Sequence, residues 1–108
     1  MTSAVIMRTR GFTGLPEETQ AKIMTYALGR IQPEKPNWVV FHPGNGVEEH
    51  LEDEGRTLIT AMSELKEKVY AILDDFGSVE ALKENIGRYA PPDLCTEYVV
   101  TFLLAEEY

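Results

Sequence analysis

The sequence predicts a small α+β domain in the order β-α-β-α-α-β, a three-stranded sheet with three helices packed mainly on one face, one of them long and amphipathic. Three observations predict it: short β-branched and aromatic runs near residues 3–10, 37–42 and 98–104; apolar residues at helical spacing between them; and glycine or proline at most of the joins. A length of 108 residues fits one globular domain over 1–108. The 44% apolar and 26% charged content suits a folded chain with its own core.

"SAVIMRTR" (3–10) reads as the first strand, with Val5, Met7 and Thr9 on one face and Ile6, Arg8 and Arg10 on the other. After "GFTG", the segment "LPEETQAKIMTYALGRI" reads as a helix. Pro16 fits its first turn, Glu17 and Glu18 complement the positive end of the dipole, and Gln20, Ile23, Met24, Ala27, Leu28 and Ile31 form its inward stripe. "NWVVFH" (37–42) reads as a second strand, apolar on both faces and therefore central. From Val47 the apolar residues Val47, Leu51, Gly55, Leu58, Met62, Leu65, Val69, Ile72 and Phe76 recur at steps of three and four, which predicts one helix over about 47–76. Gly55 is its weak point, since glycine costs about 1 kcal/mol inside a helix. Gly77 and Ser78 separate it from a third helix, "VEALKENIGRY", which Pro91 and Pro92 stop. "TEYVVTFLLAEEY" supplies the last strand, and alternation there marks Tyr98 and Phe102, like Trp38 and Phe41, as core aromatics. Tyr26, Tyr70, Tyr89 and Tyr108 are expected at a rim or interface.

Eighteen acids against ten Lys plus Arg give a net charge of −8. Direct nucleic-acid binding is disfavoured by that balance, and a basic protein partner is favoured. The acids concentrate in "GVEEHLEDEGR", where Glu48, Glu49, Glu52, Asp53 and Glu54 surround His50. On a helix opening at Val47 they would fan around the solvent side, stabilised by the dipole. They form the candidate partner-binding surface, able to imitate nucleic-acid phosphates in the basic groove of an enzyme, in the manner of phage or mobile-element inhibitors. His50 and Glu54, with His42, supply at most three metal ligands. HExxH, CxxC and EF-hand patterns are absent, so no metal or cofactor is expected.

An alternative site lies at the basic pole. Arg8 and Arg10 precede Gly11 and Gly14 at a helix start, where backbone N–H groups could hold an anion, with His42 as a further polar group. No nucleophile elbow surrounds Ser3, Ser63 or Ser78, and Cys95 has no histidine near it in sequence, which suits a buried small hydrophobe. Catalysis is therefore not expected. The single cysteine, and a start whose apolar run precedes its arginines, point to a cytoplasmic protein without a secretory leader. Apolar area left over by two-sided strands and the long stripe suggests a homodimer, or a structural oligomerisation module.

Overall fold

The computed structural model describes residues 3–45 and 49–108. Among these residues six strands form one mixed sheet: β1 (Val5–Arg8), β2 (Trp38–Pro43), β3 (His50–Glu52), β4 (Thr57–Met62), β5 (Val69–Asp75) and β6 (Tyr98–Leu104). Their spatial order is β1-β6-β5-β2-β4-β3. The β1/β6 and β2/β4 pairs are parallel, and the other neighbours antiparallel. Three α-helices accompany the sheet: α1 (Arg10–Thr13), α2 (Glu17–Leu28) and α3 (Val79–Ile86).

This overturns the three-stranded sheet and the long helix, while the α+β class stands. The stretch predicted as one helix over 47–76 holds β3, β4 and β5, with Val47 outside the described residues. A step of four residues explains the error: it returns a side chain to the same face of a helix, and, being even, also to the same face of a strand. Leu58 to Met62 and Leu65 to Val69 fit both periods. Thr60, Ala71 and Leu73 distinguish them, because the helical stripe leaves them outside and the strand alternation turns them in. All three are buried. The chain reverses between β3 and β4 through Asp53, Glu54 and Gly55, with φ of 57°, 58° and 88°. Three consecutive left-handed residues are incompatible with a continuing right-handed helix.

Side chains on one sheet face meet α1 and α2. Val39 pairs with Ala71 and Leu58, and Ala71 with Phe102, placing all four on this face. Phe12, Ile23, Ala27 and Ile31 close over it, completely buried. Phe12 stacks on Phe102 at 5.4 Å between ring centroids. Burial of Phe12, Ile23 or Ile31 contributes about 1.5–3 kcal/mol each. The α2 stripe includes the buried Gln20, whose amide donates to the Thr13 and Leu15 carbonyls at 3.1 and 2.8 Å. Its side chain thus satisfies the loop that joins α1 to α2.

The helices do not share one face. Leu82 of α3 lines a cavity with Met7, Val99 and Thr101, residues that the β1/β6 register places on the opposite side of the sheet from Val100 and Phe102. Ser78 caps α3 by accepting from the Ala81 N–H at 3.0 Å. Towards β2 and β4 this second face carries the half-buried Trp38, Val40, Ile59, Tyr70 and Ile72. Trp38, Tyr70 and Tyr108 stack there with centroids 5.1–5.9 Å apart. Cys95, expected in the interior, is exposed. No helix among the described residues is long and apolar enough to cross a membrane.

Candidate functional site

The acidic segment forms a sheet edge in place of a helix end. His50 and Glu52 point to the second face and Leu51 to the first, following the β3/β4 register. As the outermost strand, β3 bonds its neighbour on one side only. Leu51 therefore reaches no core and is 57% exposed. The outer side of β3 presents the backbone N–H and C=O groups that an added strand would use.

The five predicted carboxylates separate by environment. Glu48 lies outside the described residues. Glu49 accepts from Arg30 Nε at 3.2 Å, and that guanidinium lies 3.6 Å above the Tyr26 ring. The Tyr26 hydroxyl, together with Arg30, holds the Glu49 carboxyl below its ordinary range. Burial, and then Glu49 itself, push the Tyr26 phenol up. That hydroxyl is enclosed close to Glu49 and Thr60 without the geometry of a full hydrogen bond to either. Glu52 faces His50 Nε2 at 3.0 Å, an ion pair only when the imidazole is protonated. Asp53 and Glu54 have no ion pair among the described residues. Their backbone is engaged: Arg56 Nε donates to the Asp53 carbonyl at 3.2 Å, and Lys35 Nζ to that of Glu54 at 3.3 Å. The turn is thus fixed through its carbonyls while its carboxylates reach solvent.

Among the described residues the regular carboxylate array that motivated imitation of nucleic acid does not form, because it required a helix where β3 and its turn stand. Nor does the helical His50–Glu54 ligand pair: His50 turns to Glu52, and His42 lies beside the Pro43 carbonyl. Among the described residues no group of three His, Cys, Asp or Glu side chains is placed to hold a metal ion.

At the basic pole Arg8, Arg10, Gly11 and Gly14 do gather around one loop. Thr9 caps α1, Arg10 begins that helix instead of extending β1, and the Gly14 N–H closes it onto the Gly11 carbonyl. His42 stands apart, since β6 and β5 separate β1 from β2, roughly 14 Å at sheet spacing. Arg8 donates to the Gln20 side chain at 3.2 Å. The anion held at this loop is the chain's own Glu107, which accepts from the Gly11 N–H at 3.0 Å, the Leu104 N–H at 2.9 Å and the Thr9 hydroxyl. These donors, Thr9 foremost, hold its carboxyl below the ordinary range.

Sequence reasoning had no means of finding Glu107, because only the parallel pairing of β1 with β6 brings residue 107 beside residue 11. Comparison with protein-family models, curated proteins and solved structures finds no match to this chain.

Proposed function

We propose that this chain is a non-catalytic binding domain that engages a basic protein partner through its β3 edge and the turn that follows, acting as a regulator or inhibitor. The observation that carries this reading is the turn itself: Asp53 and Glu54, two non-glycine residues, sit at positive φ with their carboxylates exposed. Left-handed backbone costs roughly 1–2 kcal/mol at each such residue. A strained, solvent-facing acidic turn is a motivated place to look for function. The net charge of −8 would steer a basic surface towards it, and the open side of β3 would add backbone hydrogen bonds. The nucleic-acid groove of an enzyme is one basic surface of this kind. A reducing cytoplasm suits the exposed free thiol of Cys95.

The test is affinity capture from the native host with the wild-type chain and with Asp53→Asn/Glu54→Gln. Basic proteins that elute with salt are expected on the wild type. The variant should bind them about tenfold more weakly, a few tenths to 1 kcal/mol per exposed pair, with a flatter salt dependence. Equal capture and equal salt elution would refute the proposal.

A second reading is self-association through the half-buried face of Trp38, Val40, Ile59, Tyr70 and Ile72, which favours a homodimer. Sedimentation showing a monomer at high micromolar concentration removes it.

A further inference from the structure

The geometry points to the cavity between α3 and the second sheet face as a binding site for a small apolar amine. The cavity measures about 320 Å³, near the lower end for ligand pockets. Leu82, Ile86 and Tyr89 follow at steps of four and three and all line the cavity. Only Leu82 is fully buried, while Ile86 is half-buried and Tyr89 is 75% exposed. The chain beyond Leu82 therefore stands over open volume.

The floor comes from strand register. Met7 lies beside Thr101, and Val99 beside Asp74, so an apolar floor carries one hydroxyl and one carboxylate. Asn85 of α3 also lines the cavity. Among the described residues no Lys, Arg or His lines the cavity. The neighbouring Arg88 turns to Tyr89, with its guanidinium 5.1 Å from the ring centroid and a 3.1 Å bond to the hydroxyl. Asp74 makes no ion pair among the described residues. An ionised carboxylate only accepts hydrogen bonds, so it selects a ligand that brings N–H donors, and a positive charge adds to the attraction. A carboxylate or phosphate would meet repulsion there. The volume equals that of about ten liquid waters at ~30 Å³ each, enough for one aromatic ring with a short aminoalkyl arm.

The test follows backbone amide NMR shifts during titration with phenethylamine and two analogues of similar shape, phenethyl alcohol and 3-phenylpropionate. Saturable shifts at Met7, Asp74, Leu82 and Thr101 are expected with the amine at millimolar concentration. The alcohol should bind about threefold more weakly, the scale of a solvent-screened charge pair, and the carboxylate should not bind. Asp74→Asn should abolish the preference for amine over alcohol with an otherwise unchanged spectrum. Ile86→Phe, which fills the mouth from the helix side, should exclude all three probes. The proposal is overturned if the amine gives no saturable shifts at these residues, if 3-phenylpropionate binds as well as the amine, or if folded Asp74→Asn retains the preference. It is also overturned if Ile86→Phe binds the amine as the wild type does.

Discussion

Truncating Leu58 and Leu51 to alanine, one at a time, separates the sheet from the helical stripe that the same residues imitate. Both leucines belong to the three-and-four spacing, and on a helix packed along that stripe they would be comparable. In the sheet they are neighbours in one register pair with opposite environments: Leu58 is 5% exposed in the core beneath α2, and Leu51 is 57% exposed on the edge. Losing a buried leucine side chain forfeits its transfer free energy and leaves a cavity, together about 2–5 kcal/mol. Leu51→Ala removes little buried area and should cost within about 0.5 kcal/mol. Against a total stability of roughly 5–15 kcal/mol, the first change consumes a large fraction and the second almost none. Urea titration followed by circular dichroism reads both, with equal slopes required before the midpoints are compared. Similar losses for the two variants, or a larger loss for Leu51→Ala, would refute the register and with it the strand assignment of this segment.

Two further outcomes concern the loop that holds Glu107. A Cβ at Gly11 would lie 2.6 Å from Glu107 Oε1 and 2.7 Å from Leu104 Cδ1. Gly11→Ala should therefore lower the melting temperature, with roughly 1–3 kcal/mol of overpacking against Leu104 outweighing up to about 1 kcal/mol of helix propensity; an unchanged or raised melting temperature would contradict the close approach. Glu107, with its folded pKa lowered by Thr9 and the Leu104 and Gly11 N–H groups, contributes stability that is complete above its ordinary value, roughly pH 4.3, and is lost as the pH falls through the folded value. Glu97 has the opposite sign: its hydrogen bond to Asp75, with burial and the Asp75 charge, raises its pKa, so its contribution is present at low pH and is lost as the pH rises through the raised value. Urea midpoints of Glu107→Gln and Glu97→Gln across the acid range should differ from the wild type in opposite senses, and parallel curves would contradict both assignments.

The legible elements were those whose residues satisfy one period only. "NWVVFH" is apolar on both faces, and β2 is indeed internal, between β5 and β4. The α2 stripe and the Ser78 cap of α3 followed from spacing and hydrogen-bonding chemistry that needs no long-range partner. The segment from 47 to 76 failed because even steps serve both periods, and because half of the strand signal lay in residues that the stripe ignored. Thr57, Ile59, Thr60 and the run Val69–Leu73 carry β-branched and aromatic weight, and Asp53-Glu54-Gly55 sits where a hairpin turns. Counting alternation through Thr60, Ala71 and Leu73 as well as recurrence through Leu58 and Leu65 would have shown the conflict. The chance register of the apolar residues imitated a coiled-coil seam, whereas Leu58 and Leu65 are buried inside the chain's own core.

At the candidate sites the fold sets beside each residue partners that local sequence does not reveal. Glycine-flanked N–H groups near Arg8 and Arg10 do hold an anion, and the fold supplies it from the far end of the chain as Glu107. The acidic segment contains carboxylates that need no partner beyond those they have, since Glu49 meets Arg30 and Glu52 meets His50. Sequence places these acids within a few residues of one another, and only the edge strand and its left-handed turn sort them. Among the described acids of this segment, that sorting leaves Asp53 and Glu54 without an ion pair. Their carbonyls are held by Arg56 and Lys35, so neutralising the carboxylates alters the charge of the turn while leaving the contacts that shape it. Loss of binding on their replacement would therefore report charge recognition, and a changed fold of the turn would be visible separately in the β3/β4 register.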